Sequence, residues 1–206
     1  MRTRVNIVLY PNVITKTFSD TRSYEAELRV YRLNLPHVPL LLCNGKAEEP
    51  EESVWYISTK RIKAKPYLDE KGFDPARLAA ALADFHRASM VDSKCICHID
   101  NQPKNILLNA GDFYFVDFSD SREDYPESDV SHLLLFWAEE YEFIDFIRRA
   151  AAFLNSYQTQ IPLDPQRWRF CLSDSIKRFD KRRLQHRGKN PAVHSPRNRN
   201  WLSEVI

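Results

Sequence analysis

The spacing of apolar residues changes several times along the chain, and each spacing predicts a different element. Two apolar runs rich in β-branched residues, 5–10 and 13–18, are separated by a Pro-Asn pair, which favours an antiparallel pair of strands. Residues 24–35 carry apolar side chains at every third or fourth position, which predicts an amphipathic helix. Shorter apolar runs at 40–43 and 54–58 predict two more strands, and the charged stretch between them predicts a loop.

Helical spacing dominates the chain from Asp74 onward. Asp74 and Pro75 form a typical helix start, because an Asp side chain accepts hydrogen bonds from the first free backbone N–H groups and proline fits the first turn. A short hairpin, with apolar strands at 106–108 and 113–116, interrupts the helices. The predicted helices run from residue 75 and over residues 130–141, 143–157 and 168–185.

Three side chains with oxygen donors border this hairpin. Asp100 lies on the loop before it, Asn105 where its first strand begins and Asp117 where its second strand ends. Such oxygen atoms suit a Mg²⁺ or Mn²⁺ ion that carries a nucleoside triphosphate. Asp117 also stands among apolar residues, where an ionised carboxylate is costly without a partner such as a metal ion. The alternative interpretation is that these residues shape turns, as Asp and Asn often do in hairpins.

The spacing of His98, Asp100 and Asn105 resembles the catalytic loop of protein-kinase-like phosphotransferases, whose metal-binding aspartate follows one hairpin later, as Asp117 does here. Residues 98–107, HIDNQPKNIL, are most similar to the form in aminoglycoside and choline phosphotransferases and in kinases of lipopolysaccharide sugars. The resemblance implies an α+β, protein-kinase-like two-lobe fold with an abbreviated N-terminal β-lobe and a mainly helical C-terminal lobe. It also implies that Asp100 is the catalytic base and that Asn105 and Asp117 bind the metal. His98 would brace the loop.

A lysine in a strand and a glutamate in the next helix complete the kinase pattern. In that pattern their ion pair holds the lysine against the α- and β-phosphates of the nucleotide. Lys16 and Glu27 occupy these places, with Glu25 as the alternative partner. Without the resemblance, they would be an exposed strand lysine and one of many helical glutamates. The cofactors that the resemblance implies are ATP and Mg²⁺ or Mn²⁺.

Two polar residues after Pro75 have predicted structural roles. Asp129 matches the aspartate at a helix start that braces the catalytic loop in the enzymes it resembles, and it would also serve as an N-cap. His86 closes the helix that starts at Pro75, and we expect it to be a packed structural histidine.

The sequence departs from protein kinases at two places. The first glycine is Gly45, so no Gly-rich loop can cover the phosphates near the first strands. Either the turn at 10–12 replaces that loop or the nucleotide site is degenerate. Gln102 stands two residues after Asp100, where Ser/Thr protein kinases carry a lysine that contacts the γ-phosphate. This difference favours a sugar or another small molecule over a protein as the acceptor.

Three functions are compatible with these features. The first is an ATP-dependent phosphotransferase that moves a γ-phosphoryl group to an acceptor hydroxyl, with a lipopolysaccharide core sugar as one candidate acceptor. The second is a small atypical protein kinase of the RIO type. The third is a pseudokinase scaffold without turnover, which the missing Gly-rich loop favours. We expect three segments: a small lobe over 1–65, a helical lobe over 66–186 and a basic tail over 187–206.

Charge is distributed unevenly, although the formal net charge is only +2. Residues 167–199 contain eleven Lys or Arg and two Asp. We expect this region to form a solvated face, and the segment 187–200 to be mobile or ordered only on a partner. An anionic partner, either a lipid head group or RNA, is the alternative.

Cysteine usage and hydropathy indicate a cytoplasmic protein. Cys43, Cys95, Cys97 and Cys171 are too few for a disulfide scaffold. The C-x-C spacing of Cys95 and Cys97 does not match a zinc site, so we expect these two to be buried thiols in a strand. No apolar run reaches the roughly 18 residues of a membrane span, and the N-terminus lacks a signal-peptide cleavage site. The expected location is the cytoplasm, with peripheral attachment to the inner membrane as the alternative.

Overall fold

The computed structural model describes residues 5–48, 53–70, 72–186 and 192–206. Its N-terminal part, up to Lys60, contains a four-stranded antiparallel sheet and the helix α1 (Thr21–Arg32). The strands are β1 (Val5–Leu9), β2 (Val13–Phe18), β3 (Leu41–Glu48) and β4 (Ser53–Lys60). Their order across the sheet is β1-β2-β4-β3, so β2 has a neighbour on each side, and its Lys16 pairs with Ile57 of β4.

Asp20 determines where α1 begins. Its carboxylate accepts hydrogen bonds from the backbone N–H groups of Arg22 and Ser23, at 3.2 and 2.9 Å, and so serves as the N-cap. The helix therefore starts earlier than the apolar spacing predicts. Tyr24 stacks on Trp55 of β4 with 4.8 Å between ring centroids, which fixes α1 against the sheet.

β3 extends further than predicted. The predicted strand ends at residue 43, whereas pairing with β4 continues through Asn44 opposite Ile57. Backbone hydrogen bonds to β4 hold this polar stretch in an extended form whatever its side chains are. Cys43 is exposed on this strand. β3 is an edge strand of the sheet, where polar residues are well tolerated.

The turn between β1 and β2 is hydrogen-bonded to the segment after β4, which leads to the helical part of the chain. The backbone N–H of Arg61 donates to the Asn12 carbonyl oxygen at 2.9 Å, and the Arg61 guanidinium donates to the Tyr10 carbonyl oxygen at 2.8 Å. This turn contains no glycine. Its conformation is stabilised by these hydrogen bonds, without the backbone freedom of a Gly-rich loop.

The C-terminal part, after Lys60, consists of helices with small antiparallel sheets between them. One sheet contains β5 (Lys65–Pro66), β7 (Ile106–Asn109) and β8 (Asp112–Phe115), and another contains β6 (Cys95–Cys97) and β9 (Arg122–Asp124). The helices are α2 (Pro75–Arg87), α3 (Glu127–Glu140), α4 (Phe143–Gln158), α5 (Pro165–His186) and α6 (Ser195–Glu204). α2 packs against α4, and α3 packs against α5. α5 begins earlier than predicted because Asp164 accepts hydrogen bonds from the N–H groups of Gln166 and Arg167.

The segment that we expect to be mobile is partly helical. Its residues 187–191 lie outside the described residues, but α6 packs against α3 and α4. Asn198 is buried and donates to the carbonyl oxygens of Ala138 and Tyr141, both at 2.9 Å, which satisfies acceptors at the end of α3. Leu202 is fully buried. The expectation of mobility is therefore wrong for this helix, because its amide and apolar groups have partners in the fold.

The ring of Phe118 links the N-terminal part of the structure, up to Lys60, to the helical C-terminal part. It lies 5.6 Å from the Tyr31 ring of α1 and 5.8 Å from the Phe85 ring of α2, measured between centroids. The His98 ring is 4.8 Å away. Phe118 is fully buried in the main core cluster. Because Phe118 directly follows Asp117, this packing fixes the backbone that carries the Asp117 carboxylate.

Cys95 and Cys97 are buried in β6 as predicted, and Cys171 is buried in α5. His86 is also fully buried. Within the part of the chain that the structure describes, no helix combines the length and the apolar character needed to span a bilayer.

Candidate active site

The hairpin of β7 and β8 brings Asn105 next to Asp117. Its register pairs Ile106 with Phe115, so the residues just outside, Asn105 and Val116, face each other. The Val116 N–H donates to the Asn105 carbonyl oxygen at 3.0 Å. Asn105 is buried, whereas 40% of the Asp117 side chain is exposed. The two predicted metal ligands thus lie at the same open end of the hairpin.

Lys16, Glu27 and Asp117 form one ion-pair cluster. The Lys16 ammonium lies 2.5 Å from Oε2 of Glu27 and 2.6 Å from Oδ1 of Asp117. It also contacts the Ser119 hydroxyl at 2.9 Å, and this hydroxyl donates to Oε2 of Glu27 at 2.9 Å. The Glu27 side chain is buried, whereas Glu25, the alternative partner, is exposed. Strand β2, helix α1 and the loop after β8 therefore meet at one lysine.

The cluster contains two carboxylates for one ammonium. Burial opposes the charge on Lys16, yet Glu27 and Asp117 together hold its pKa above the ordinary value. For Glu27, burial dominates and raises the pKa of the carboxyl group, while Lys16 acts in the opposite direction. For Asp117, burial also opposes the charge, but Lys16 and Ser119 lower the pKa below its ordinary value. The ionised and partly exposed Asp117 therefore directs negative charge toward solvent.

Asp129 holds the backbone of the loop that carries Asp100. Its Oδ2 accepts a hydrogen bond from the His98 N–H at 2.6 Å, and its Oδ1 accepts one from the Ile99 N–H at 2.7 Å. Ile99 has a φ of 68°, a left-handed conformation that is strained for a β-branched residue and costs about 1–3 kcal/mol. Charge-assisted hydrogen bonds to Asp129 offset this strain. The predicted bracing role of Asp129 is confirmed.

The His98 ring fastens the same loop to the hairpin. Its Nε2 lies 2.9 Å from the Val116 carbonyl oxygen, which can only accept, so Nε2 carries the proton. Nδ1 is buried without a partner among the described residues. This hydrogen bond joins the residue two before Asp100 to the residue just before Asp117. His98 therefore occupies the bracing position that the sequence predicts.

The amide group of Asn105 joins the predicted metal site to the predicted base. Its Nδ2 donates to the Asp100 carbonyl oxygen at 2.8 Å and to Oδ2 of Asp100 at 3.3 Å. This orientation turns the Asn105 Oδ1 atom away from Asp100, so that it can serve as a ligand. The Asp117 carboxylate can keep Oδ1 on Lys16 and offer Oδ2 to a cation. The donor set thus fits a divalent ion with oxygen ligands, and the catalytic and metal-binding roles stay predictions.

The catalytic-loop and hairpin residues of this site fall within a segment that matches a known family. The profile of the phosphotransferase enzyme family matches residues 44–171, which is more than half of the chain. The chain belongs to this family. A search of curated proteins by sequence finds no match. The resemblance to phosphotransferases is confirmed, because the matched family consists of phosphotransferase enzymes.

Solved structures share the fold of this phosphotransferase at low sequence identity. Amicoumacin kinase hAmiN, in complex with AMP-PNP, Ca²⁺ and Ami, gives a TM-score of 0.67 at 12% identity over 98% of this chain and 88% of that chain. A thermostable mutant of aminoglycoside phosphotransferase APH(4)-Ia gives a TM-score of 0.65 at 13% identity, over 98% of this chain and 91% of that chain. A choline/ethanolamine kinase family protein from Mesorhizobium loti gives a TM-score of 0.61 at 12% identity, over 98% of this chain and 84% of that chain. The predicted α+β, protein-kinase-like fold is confirmed.

The structure adds to the phosphotransferase site a residue that sequence reasoning missed. Arg182 of α5 donates from Nη1 to Oδ1 of Asp100 and, at 2.5 Å, from Nη2 to Oδ2 of Asp120. Arg182 and Asp100 are 82 residues apart in the chain. The sequence signal for this contact is weak: Arg182 follows the buried Phe179 by nearly one helical turn.

A cleft of about 840 Å³ opens beside Asp100 on the helical half of the phosphotransferase. Its lining carries charges of both signs and two aromatic rings. The lining includes Asp69, Lys104, Phe136, Glu139, Phe179 and Arg183. The Asp100 carboxylate belongs to the same lining.

His132 of α3 supports Asn101 of the catalytic loop. Its Nδ1 lies 3.0 Å from Oδ1 of Asn101, whose Nδ2 donates to the Asp129 carbonyl oxygen at 2.8 Å. The Asn101 Oδ1 is thus the acceptor, and Nδ1 of the neutral His132 ring carries the proton. Burial, together with Arg178 and Arg182, lowers the pKa of His132 to about 3.

This neutral His132 is expected to make the free energy of unfolding fall at acidic pH. Between the ordinary value of 6.5 and the folded pKa of about 3, the unfolded chain binds a proton that the folded chain does not. The contribution of the neutral His132 ring to the free energy of unfolding is therefore fully present above pH 6.5 and lost as the pH falls toward 3. The slope is at most about 1.4 kcal/mol per pH unit. Urea unfolding of wild type and His132→Gln across this range measures the slope as a difference curve. A difference that does not change with pH would contradict a buried neutral ring.

Proposed function

We propose that this kinase transfers the γ-phosphoryl group of ATP to a hydroxyl group of a small molecule. The observation that carries the proposal is the convergence of Lys16, Glu27 and Asp117 in one cluster, with Asn105 next to Asp117. A lysine held by a glutamate suits nucleotide phosphates, and carboxylate and amide oxygens suit a Mg²⁺ or Mn²⁺ ion. Amicoumacin kinase is solved in complex with AMP-PNP and Ca²⁺, which supports a nucleotide and a divalent ion for this chain too.

The proposed chemistry relies on positioning and charge. Lys16 would hold the α- and β-phosphates of the nucleotide. Asn105 and Asp117 would hold the metal ion, which neutralises negative charge on the phosphates when bound. Asp100 would orient the acceptor hydroxyl and accept its proton as the oxygen attacks.

The cleft beside Asp100 favours a small polar acceptor such as a sugar. Its charges of both signs and its two rings offer hydrogen bonds and stacking surfaces to a polyhydroxylated molecule. A lipopolysaccharide core sugar belongs to this class, and the basic residues of α5 would then contact its anionic groups or another anionic partner. In this proposal residues 1–65 form the lobe that holds the nucleotide, and residues 66–186 form the lobe that holds the acceptor.

Incubation with γ-labelled ATP and Mg²⁺ is the experiment that tests the proposal. We expect wild type to pass label to a fraction of small molecules and sugar lipids rather than to proteins, because the cleft suits a polyhydroxylated acceptor. Thermal unfolding in the same buffer should show that Mg-ATP raises the melting temperature, since a ligand that binds the folded state stabilises it. Chelation of the metal ion with EDTA should abolish both effects.

Asp117→Ala is the control for this experiment. It removes the carboxylate that pairs with Lys16 and that we propose as a metal ligand, so neither labelling nor stabilisation by Mg-ATP should remain. Asp145→Ala removes an exposed carboxylate of α4 that pairs with Arg148, and it should behave like wild type. Label that passes only to proteins would favour the atypical protein kinase. Stabilisation by Mg-ATP without any transfer would favour the scaffold.

A further inference from the structure

Arg182 lies where the acceptor would meet the phosphoryl group in the proposed reaction. Its guanidinium bridges Asp100 and Asp120 at the cleft, and 41% of its side chain is exposed. Burial opposes the charge, but the two carboxylates raise the pKa of Arg182 above its ordinary value, so the group is always cationic. A forked, charged donor is thus attached to the proposed base.

Two neighbouring residues, Gln102 and Arg183, do not supply this charge. Gln102 of the catalytic loop is neutral and donates to Oδ2 of Asp100 at 2.9 Å. Arg183, the next residue of α5, pairs with Glu139 at 3.2 Å. Among the residues that the structure describes, Arg182 is therefore the cation that forms an ion pair with the proposed base.

Elementary geometry brings a transferring phosphoryl group within reach of Arg182. A base takes a hydroxyl proton across a hydrogen bond of about 2.6–3.2 Å, and the hydroxyl oxygen attacks phosphorus from about 3–3.5 Å. The phosphorus would therefore lie within roughly 7 Å of the Asp100 carboxylate. Because the guanidinium is hydrogen-bonded to the same carboxylate, its second nitrogen can reach a phosphoryl oxygen once it leaves Asp120.

We propose that Arg182 is a catalytic residue that binds the γ-phosphoryl group during its transfer. Nη2 exchanges the Asp120 carboxylate for a phosphoryl oxygen, while Nη1 stays on Asp100. The bond from the acceptor oxygen to the γ-phosphorus forms as the bond from that phosphorus to the β–γ bridging oxygen breaks. The hydroxyl proton passes to Asp100, and ADP leaves with the electron pair of the broken bond. Arg182 neutralises charge on the phosphoryl oxygens in this step, so the inference rests on the proposed function.

Arg182 does not prevent Asp100 from acting as the base. A carboxylate oxygen has two lone-pair positions, so Oδ1 can accept from Arg182 and from the acceptor hydroxyl together. Gln102 and Asn105 both donate to Oδ2, which leaves Oδ1 as the oxygen for the acceptor. Asp120 is the resting partner of Nη2. A latch that blocked the base would have the opposite kinetic effect, because its removal would increase turnover.

The test compares nucleotides that differ in the γ-phosphoryl group. Wild type, Arg182→Gln and Arg182→Lys are titrated calorimetrically with ADP and with AMP-PNP, both with Mg²⁺, and hydrolysis of ATP by water is measured without an acceptor. Arg182→Gln should bind ADP within about twofold of wild type but lose the preference for AMP-PNP, and its hydrolysis rate should fall about 10³-fold. Arg182→Lys keeps the positive charge but lacks the forked guanidinium. Its preference for AMP-PNP and its hydrolysis rate should therefore lie between those of wild type and Arg182→Gln.

Arg178→Gln is the matched control on the same helix. Arg178 lies one turn earlier and pairs with Asp174 at 2.9 Å, away from the cleft lining. The control should leave both nucleotide affinities and hydrolysis unchanged. Asp120→Asn is a second test variant, because it removes the negative charge that holds Nη2 of Arg182 and keeps the guanidinium. AMP-PNP affinity should then rise while ADP affinity stays the same.

Each outcome decides the role of Arg182. Unchanged AMP-PNP preference and hydrolysis in Arg182→Gln would overturn the inference and leave the proposed function intact. Faster hydrolysis would identify Arg182 as a latch and overturn the inference as well. Weaker AMP-PNP binding by Asp120→Asn would count against it even if Arg182→Gln does not fold. Wild type that binds neither nucleotide would overturn the proposed function itself, so the two failures are distinguishable.

Discussion

The Asp100→Asn variant is expected to transfer phosphoryl groups about 10²–10⁴-fold more slowly than wild type, with little change in nucleotide affinity. An asparagine side chain has nearly the same shape, but it cannot take the proton of an acceptor hydroxyl. The contacts from Lys16 to Glu27 and Asp117, which define the proposed nucleotide site, do not involve Asp100. The variant therefore separates the chemical step from nucleotide binding.

Rates of label transfer and calorimetric titration with Mg-ADP measure the two effects of Asp100→Asn. The Asn105 amide donates to the backbone carbonyl oxygen of residue 100, so this support of the loop does not depend on the substituted side chain. Asp145→Asn removes one exposed carboxylate from α4 and should leave both quantities unchanged. A variant that keeps more than about a tenth of wild-type turnover would show that another group is the base.

Local sequence patterns are sufficient to predict the hairpin and the residues beside it. Turn residues and apolar runs specify which backbone positions face each other. Once Ile106 is paired with Phe115, Asn105 lies opposite Val116 and next to the carboxylate that follows, whatever the rest of the chain does. β2 is predicted at its observed bounds, Val13–Phe18, because its β-branched residues and the preceding turn signal are local as well.

Contacts between distant segments are beyond the reach of such patterns. The polar stretch after Cys43 becomes a strand because β4 supplies backbone partners, and α6 is ordered because Asn198 satisfies the end of α3. Arg182 has the sequence context of any cation in a basic helix. Its contact with Asp100 depends on the packing of α5 against α3, which no local pattern specifies. In these cases tertiary contacts override local propensity.

The Asp129→Ala variant is expected to lose about 3–5 kcal/mol of the free energy of unfolding. The Asp129 carboxylate is fully buried and accepts hydrogen bonds from the backbone N–H groups of His98 and Ile99. Nε2 of His86 lies 3.0 Å from the same carboxylate. The substitution leaves these donors buried without a charged acceptor. It also removes the contacts that compensate for the left-handed backbone of Ile99, so Asp100 should move and turnover should fall as well.

The pH dependence of this loss follows from the ionised pair. Burial opposes the charge on Asp129, but His86 lowers the pKa of Asp129 below 3.8. The ionised carboxylate therefore contributes to the free energy of unfolding above pH 3.8, and this contribution is lost as the pH falls through the folded pKa. Burial also opposes the charge on His86, but Cys95 and Asp129 raise the pKa of His86 above 6.5. The protonated ring therefore contributes to the free energy of unfolding below pH 6.5, and this contribution is lost as the pH rises through the folded pKa. The destabilisation by Asp129→Ala should therefore be largest between about pH 4 and pH 6.5.

Urea unfolding of the Asp129 variants at several pH values measures this loss. Asp174→Ala removes a partly exposed partner of Arg178 and should change the free energy of unfolding by less than about 1 kcal/mol, because surface ion pairs contribute little. Asp129→Asn should lie closer to Asp129→Ala than to wild type, because an amide offers one acceptor oxygen where the donors use two. A fully stable Asp129→Asn would mean that charge does not hold the catalytic loop. The packing of His98 against Phe118 would then be what positions Asp100.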